Sequence, residues 1–341
     1  MSLANLSAPE NRRSFLKQML ASAPLLGCAT GLAGSAVAAA PSFHRNERCR
    51  KVLRKLKGPM ASITMPYNKD FSIDHGSLRA WVDFMCEKKV PILFMTYGDS
   101  ELGFLSENEM EAVIRTVTAQ ARGRTLVLGG TGIWWTNRMI DFVNRLEDSG
   151  VDAMNVHTGQ LTKKDDEIFN HLAEIDRRTK LPLLISDTGY SVDLMKRLAQ
   201  IPKLIGDKCH EELYGYHDFI RATRPYDFSI VSAGQMKHFL FGYLIGSPAY
   251  LCALTPFAPE IGIEFHQAME RNDIARAREI VFQYEDTLLA ITIPLGYPQC
   301  YKSALYLKGL YSTTLVRPPR KSNMPEELGP LKEFMEQNNL I

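Results

Sequence analysis

Short apolar segments alternate with longer amphipathic segments along the chain from residue 61 onward. Each short segment is apolar at successive positions, which is typical of parallel strands that are buried on both faces. We predict eight such strands, at residues 61–65, 92–96, 125–128, 153–156, 183–186, 204–207, 229–231 and 250–253.

Most of the intervening segments have helical periodicity, with apolar residues three or four positions apart. Ser106 and Glu109 form a capping-box pattern at the start of one of them. We predict helices at residues 76–88, 106–121, 136–148, 165–178 and 192–199, and, beyond the last strand, at 259–271, 274–291, 301–309 and 326–338.

Eight buried strands separated by helices predict an α/β fold, namely a closed (β/α)8 TIM barrel with a C-terminal helical extension. An open, doubly wound sheet is the alternative. Such a sheet usually has a glycine-rich turn after its first strand, and residues 65–68 do not form one. The Gly129–Gly132 segment, which has two glycines in a row, is predicted to be a tight turn between strand and helix.

The first forty residues have a different composition from the rest. The pair Arg12-Arg13 precedes Phe15-Leu16-Lys17, a weakly apolar run and the small residues Ala38-Ala39-Ala40. This pattern predicts a twin-arginine export signal at 1–40, followed by a single barrel domain at 41–341. The expected location of the mature protein is therefore periplasmic or extracellular, without stable membrane insertion.

Charge and cysteine content exclude several classes of partner and cofactor. Removal of Arg12, Arg13, Lys17 and Glu10 with the signal leaves 37 basic and 37 acidic residues, from totals of 40 and 38. A neutral chain does not attract nucleic acid as a whole. The cysteines and histidines lack the spacing of a metal site, so we expect no metal and no cofactor. The basic stretch at residues 45–57 is predicted to be a solvated helix face.

The active sites of such barrels lie at the carboxyl ends of the strands. Lys208 directly follows the sixth predicted strand. Partial burial there would disfavour its ammonium form, and the neutral amine could attack a carbonyl group. The alternative is an ordinary solvated lysine that pairs with Asp207 or Glu211.

Residues 58–320 resemble the dihydrodipicolinate synthase / N-acetylneuraminate lyase family. The matching segments, in order, are Met60 to Tyr67, Ile73-Asp74, Glu101 with Leu105 to Glu109, Gly150 to Ala153, Leu204 to Lys208, Tyr301 to Leu305, Gly309 and Val316 to Pro319. The resemblance implies a barrel, a Schiff base on Lys208 without any metal or organic cofactor, and a homo-oligomer, either tetramer or dimer.

The chain departs from the family pattern at three places. Gly98 and Asp99 occupy the positions of two paired hydroxyl residues that hold a substrate carboxylate in the family. Ser186 occupies the position of the proton-transferring tyrosine after strand five. Residues 159–161 replace a segment that carries a tyrosine of the neighbouring subunit.

These observations predict a carbon–carbon lyase of the aldolase type that acts on a small-molecule 2-oxo acid or related carbonyl compound, with a sugar-acid-like substrate as one option. Two alternatives remain open: a hydro-lyase that uses the same Schiff base, and a non-catalytic exported binding protein. The predicted catalytic residues are Lys208 and Ser186, and the predicted substrate-binding residues are Gly98, Asp99, Ser100, His157, Ser232 and Leu251.

Overall fold

The eight strands pair in parallel and in chain order, and the last pairs with the first, so the sheet closes into a barrel in this computed structural model. The structure describes residues 45–159, 161–186 and 188–341, and the predicted export signal lies outside them. The strands are β1 (Gly58–Ser62), β2 (Ile92–Phe94), β3 (Leu126–Ile133), β4 (Ala153–His157), β5 (Leu183–Ile185), β6 (Leu204–Cys209), β7 (Ser229–Ser232) and β8 (Ala249–Leu251).

Helices connect the strands and continue beyond the last one. Those before the end of the barrel are α1 (Glu47–Lys55), α2 (His75–Glu87), α3 (Glu107–Ala121), α4 (Thr136–Arg145), α5 (Asp165–Arg178), α6 (Val192–Leu198), α7 (Leu213–Thr223) and α8 (Met236–Ile245). The C-terminal extension contains α9 (Pro259–Glu270), α10 (Ile274–Ile280), α11 (Asp286–Leu295), α12 (Tyr297–Leu307) and α13 (Gly329–Gln337). The predicted (β/α)8 fold with its helical extension is confirmed.

Local signals predicted helix starts better than strand ends. The Ser106 side chain accepts from the Glu109 backbone, and the Glu109 side chain accepts in return, so the predicted capping box is present. The predicted turn at Gly129–Gly132 is wrong, because β3 continues through it. A Cβ atom on Gly130 would lie 2.5 Å from the backbone oxygen of Met95, so glycine allows a close approach of chains there.

Two apolar layers hold the barrel together. Side chains that point inward from the strands form one cluster, which includes Met60, Phe94, Leu128 and Leu184. Side chains that point outward pack against the surrounding helices in a larger cluster. This division follows from the alternation of side chains along each strand.

Helix α1 packs against the inner cluster through Cys49 and Val52, and Leu56, which directly follows the helix, joins them. The prediction of a solvated basic face is wrong for Arg45, which is 2% exposed and donates to the backbone oxygens of Ala199, Ile201, Pro202 and Asp227. These acceptors precede β6 and β7, so Arg45 lies at the end of the barrel opposite the carboxyl ends of its strands. A charged side chain such as Arg45 can therefore be buried when several backbone carbonyl oxygens accept its hydrogen bonds.

The C-terminal extension contacts the loop that follows the first strand. The Tyr311 hydroxyl donates to the Thr64 oxygen at 2.6 Å, and Thr313 donates to the Tyr67 oxygen at 2.7 Å. Arg317 donates to the Phe71 oxygen at 2.8 Å. These bonds fix the extension beside the carboxyl ends of the strands. Within the described ranges, no helix combines the length and apolar character needed to cross a membrane.

Candidate active site

A cavity of about 870 Å³ opens at the carboxyl ends of the barrel strands. Residues from six strand ends and from the C-terminal extension line it. Its lining includes Thr96, Tyr97, Gly98, Asp99, His157, Ser186, Lys208, His210, Glu211, Glu212, Gln235, Lys237, His238, Leu251, Ala253, Tyr297 and Tyr301.

Lys208 lies inside the cavity because of an irregularity in β6. Leu183 pairs with Leu204, but Leu184 pairs with Gly206, so Ile205 is an extra residue between two pairs. Ile205 points into the barrel, and strict alternation from it would turn Lys208 outward. The extra residue shifts the inward–outward alternation of side chains by one position. Lys208 therefore points inward, like Val231 of the inner layer, with which it pairs.

Lys208 is 5% exposed, so its side chain is largely removed from solvent. The lysine lies within β6, not just beyond the strand end as predicted from the sequence. This burial supplies the desolvation that an attacking amine requires.

Asp99 follows β2 and is partly exposed to the cavity. The Ser62 hydroxyl donates to Asp99 Oδ2 at 2.7 Å. Burial raises the pKa of the Asp99 carboxyl above its usual value, and the bond from Ser62 and the charges of Lys208 and Arg320 act in the opposite direction. Asp99 and Lys208 therefore interact electrostatically within one cavity.

Three further predicted residues also line the cavity. Ser186 directly follows β5 and is 8% exposed. Leu251 forms an apolar wall at the end of β8. Gly98 has open space where a Cβ atom would lie, so its lack of a side chain widens the cavity.

His157 lines the cavity, but hydrogen bonds with the barrel occupy both ring nitrogens. Its Nδ1 lies 2.9 Å from the Thr131 oxygen, which can only accept, so Nδ1 carries the proton. Its Nε2 lies 3.0 Å from Asn155 Nδ2 and accepts from that amide. This arrangement fixes the ring and favours a structural role over proton transfer.

Ser100 and Ser232 lie outside the cavity lining, so the structure does not bring them to the site predicted for them. The Ser100 side chain is fully buried and accepts from the Thr96 backbone at 3.0 Å. Ser232 pairs with Cys209, which points outward, and its hydroxyl lies 2.6 Å from His238 Nδ1. Sequence position near a strand end does not indicate which face a side chain occupies.

Several lining residues were not predicted. Tyr297 and Tyr301 reach the cavity from α12, which starts four residues before the helix predicted at 301–309. His210 also lines the cavity. Alternation along β6 from Lys208 would have indicated His210, whereas no local pattern indicates that α12 faces the barrel mouth.

A buried ion pair lies behind this part of the site. Lys302 and Glu101 are both fully buried and contact each other directly. Lys302 also donates to the Leu315 oxygen at 2.8 Å and lies 4.1 Å from the centre of the Tyr67 ring. Burial lowers the pKa of Lys302 to about 8, although the Glu101 charge opposes this shift. The pair joins the loop of Asp99 to the helix of Tyr301.

Among the described residues, no group of three or more histidine, cysteine, aspartate and glutamate side chains is arranged to hold a metal ion.

Comparison with known proteins gives one matching family model, the dihydrodipicolinate synthetase family, over residues 55–338. A probable 5-dehydro-4-deoxyglucarate dehydratase 2 of Streptomyces avermitilis is 30% identical over 240 residues, which cover 64% of this chain and 69% of that protein. An uncharacterized DapA-like lyase of Pyrococcus furiosus is 24% identical and covers 84% of this chain and 98% of its own.

Solved structures show the same fold. The dihydrodipicolinate synthase from Acinetobacter baumannii, complexed with pyruvate, matches with a TM-score of 0.76 at 23% identity, over 84% of this chain and 100% of that chain. The enzyme from Aquifex aeolicus matches with a TM-score of 0.76 at 21% identity, over 83% of this chain and 98% of that chain.

Proposed function

We propose, because this chain belongs to the dihydrodipicolinate synthetase family, that it is a lyase in which Lys208 forms a Schiff base with a carbonyl substrate. The observation that carries the proposal is the position of Lys208, which is 5% exposed and lies on the inner face of β6 in the large cavity. Lyases are the general class of the family, and the Schiff base is its typical intermediate.

The proposed reaction begins when the neutral Lys208 amine attacks the carbonyl carbon. The carbonyl oxygen leaves as water after it takes up protons, and an iminium ion remains. The bond between the first and second carbons beyond the iminium carbon can then break. The hydroxyl group on the second carbon loses its proton and that fragment leaves as a carbonyl compound, while the electron pair of the broken bond forms the carbon–carbon double bond of an enamine and the C=N pair moves to nitrogen. Protonation of the enamine carbon and hydrolysis of the iminium release the second product and restore Lys208.

The charges in the cavity favour a substrate without a carboxylate next to the reacting carbonyl. Asp99 occupies the position of a hydroxyl residue, and a carboxylate there repels the carboxylate of a simple 2-oxo acid. Among the described lining residues none is an arginine, and Lys237 pairs with Asp286 at 2.7 Å. Within the broader class of 2-oxo acids and related carbonyl compounds, we therefore favour larger or uncharged ones.

A hydro-lyase is the second candidate function. The relative from Streptomyces avermitilis that is 30% identical is named a dehydratase. In that reaction the carbon beside the iminium carbon loses a proton to form an enamine, and the enamine expels the hydroxyl group of the following carbon, which takes up a proton and leaves as water, instead of breaking a carbon–carbon bond. Product analysis with a polyhydroxylated carbonyl compound separates the two reactions.

Reductive trapping tests the Schiff base. Wild-type protein treated with borohydride and either hydroxyacetone or pyruvate should gain the mass of the reduced adduct on the Lys208 peptide, more with hydroxyacetone. Lys208→Ala should gain none, because the attacking amine is lost. Asp99→Thr should trap pyruvate better than the wild type, since it removes a negative charge from the site.

The control for trapping is Lys203→Ala, because Lys203 lies in the segment before β6 and pairs with Asp176 at 3.3 Å. This variant should trap as the wild type does. Equal pyruvate trapping by wild type and Asp99→Thr would refute the charge argument. If no carbonyl compound is trapped at Lys208, the remaining interpretation is a non-catalytic binding protein.

We further propose export through the segment at residues 1–40, supported by Arg12-Arg13 and by Ala38-Ala39-Ala40. The mature protein is then periplasmic or extracellular and begins near Pro41. Replacement of both arginines by lysine should abolish export, because the transport machinery reads the pair. Cell fractionation and N-terminal sequencing measure this, and an intact Met1 on exported protein would contradict it. A homo-oligomer, tetramer or dimer, is proposed by analogy with the family.

A further inference from the structure

The site lacks the proton-transferring tyrosine that the family resemblance implies. Ser186 stands after β5 where a tyrosine is expected, and its side chain is shorter. Formation of an iminium ion and of an enamine each require a group that gives and takes protons. In this site another residue that lines the cavity must therefore transfer the proton.

Most titratable residues in the cavity are engaged elsewhere. Both ring nitrogens of His157 are hydrogen-bonded within the barrel. His238 contacts the Ser232 hydroxyl through Nδ1 and the Glu211 oxygen through Nε2. The Glu211 carboxylate accepts from the Gly189 backbone at 2.8 Å. These contacts hold each group in place, so none is well suited to exchange protons with a substrate.

His210 faces the cavity without a hydrogen bond to any described residue, but it is a poor proton carrier. Burial, together with the charges of Lys208, His238 and His157, lowers the pKa of His210 to about 3. Its imidazole therefore stays neutral near pH 7. A base of such low pKa contributes little to proton transfer at that pH.

Tyr301 differs from the other buried tyrosines. Its residue is 2% exposed. Tyr250, Tyr311 and Tyr190 have hydroxyls bonded to protein oxygens, and the hydroxyls of Tyr67 and Tyr216 are fully enclosed. Of these described buried tyrosines, Tyr301 alone lines the cavity. Its hydroxyl has no hydrogen-bond partner among the residues that the structure describes.

Asp99 also has a carboxylate oxygen that could exchange a proton with a substrate. Its Oδ2 accepts from Ser62 at 2.7 Å, whereas its Oδ1 accepts no hydrogen bond from the part of the chain that the structure describes. The carboxyl interacts electrostatically with Lys208 and with Tyr301. Burial and the Asp99 charge raise the pKa of the Tyr301 phenol well above its usual value, so the phenol remains a donor.

We propose that Asp99 and Tyr301 act as a pair in this site, with Asp99 as the general base and Tyr301 as a hydrogen-bond donor, in the place of the strand-five tyrosine. This inference rests on the proposed Schiff base at Lys208. The Asp99 carboxylate takes a proton from the carbon next to the iminium, and the C–H electron pair forms the carbon–carbon double bond of the enamine. The C=N electron pair moves to nitrogen, and Asp99 later returns the proton to carbon.

Tyr301 has the complementary task in this pair. Its phenol donates a hydrogen bond to the substrate oxygen that lies beside Asp99, and keeps its own proton throughout. The Asp99 carboxylate also offsets the positive charge of the iminium ion on Lys208, which a neutral serine cannot do. The site therefore favours carbonyl compounds with a nearby hydroxyl group.

Hydrogen–deuterium exchange tests the pair separately from the Schiff base. Hydroxyacetone in D2O exchanges its methyl hydrogens through the enamine, and NMR gives the rate. Asp99→Asn should slow this exchange at least about 100-fold, because general acid–base groups contribute effects of this order. Tyr301→Phe should slow it about 10-fold, because the variant loses one hydrogen bond to the substrate. End-point borohydride trapping at Lys208 should persist in both variants.

Tyr306→Phe is the matched control, because Tyr306 lies on α12 but outside the cavity lining. It should exchange at the wild-type rate, and denaturation should show that all three variants fold. The wild-type rate should rise with pH through the pKa of Asp99, and this rise should be absent in Asp99→Asn.

Borohydride trapping distinguishes failure of the Schiff base from failure of the pair. If wild-type protein forms no adduct at Lys208, the proposed function itself is refuted. Where the wild type is trapped, unchanged exchange in Asp99→Asn or in Tyr301→Phe overturns the pair. Trapping without any exchange in the wild type overturns it as well.

Discussion

The buried charges of Lys302 and Glu101 show how single residues connect the C-terminal helix to the barrel. Both side chains are fully buried, and Arg320 lies 3.9 Å from the same carboxylate. Charges removed from water are tolerated only when they are paired. Each member of the pair therefore depends on the other far more than two exposed charges do.

We predict that Lys302→Met destabilises the protein by about 3–5 kcal/mol, because Glu101 is then left buried without its main partner. The double variant Glu101→Gln, Lys302→Met should recover much of this loss. Urea denaturation of the two single variants and the double variant measures the coupling. Additive losses would contradict a coupled pair.

The control for this cycle is the exposed pair of Lys321 and Glu327, whose charged atoms lie 3.0 Å apart. Lys321→Met should cost less than about 1 kcal/mol, since exposed ion pairs contribute little. A loss as large as that of Lys302→Met would show that burial is not the cause.

Single residues also show how far the sequence predicted the candidate site. Lys208, Asp99 and Ser186 were predicted because they follow strands, and all three line the cavity. Tyr301 was placed in a helix but not in the site, since its contact with the cavity depends on how α12 packs. Ser232 was misplaced because the face of a short strand depends on its register.

At the scale of elements, Glu285 links a helix start to a neighbouring turn. Glu285 lies in the π-helical turn Val281–Glu285, is 1% exposed, and accepts from the backbone N–H groups of Met236 and Lys237. It therefore caps α8, whose first turn carries the cavity residue Lys237. The π-turn interrupts the helix predicted at 274–291, and no local signal indicated it.

Glu285 should make stability depend on pH. Burial raises its pKa to about 7 from a usual 4.5. The folded-state pKa is thus above the unfolded value, so the stability that the protonated group contributes is complete below about pH 4.5 and is lost as pH rises to about 7. A difference of this size corresponds to roughly 3 kcal/mol.

We predict that wild-type protein loses about 3 kcal/mol of stability between pH 4 and pH 8 relative to Glu285→Gln, which does not titrate there. Denaturation midpoints at both pH values measure the difference. Glu333→Gln, an exposed position on α13, is the control and should follow the wild type. Parallel pH profiles of wild type and Glu285→Gln would contradict the prediction.

Across the elements, strand number and order could be predicted because apolar runs separated by helices have few other interpretations. Strand ends could not. The first strand lies at Gly58–Ser62, three residues before its predicted position at 61–65. β3 extends to Ile133 because the glycines in it permit close strand contact. Such features depend on neighbouring chains, which a local pattern does not contain.

At the scale of the whole molecule, Arg45 joins the start of the described chain to the end of the barrel opposite the cavity. Its four backbone acceptors belong to the segments that lead into β6 and β7. Burial lowers the pKa of the Arg45 guanidinium to about 10, which still leaves it charged at neutral pH. It thus fixes the start of the strand that carries Lys208.

We predict that Arg45→Met destabilises the protein by roughly 3–5 kcal/mol, since several buried carbonyl oxygens lose a charged donor at once. Thermal denaturation checks this. Arg50→Met, at an exposed position on α1, is the matched control and should change stability by less than about 0.5 kcal/mol. Equal stability of the two variants would contradict an anchoring role for Arg45.

The extra residue at Ile205 has a consequence for how such a site is inherited. The amine reaches the cavity because one residue more than the regular count stands between Leu204 and Lys208. A descendant that loses one residue there keeps its lysine and its barrel but turns the amine toward the helices. Substitutions near β6 therefore preserve the site more readily than deletions do. Inheritance of the activity requires both a lysine at position 208 and an unchanged number of residues before it in the strand.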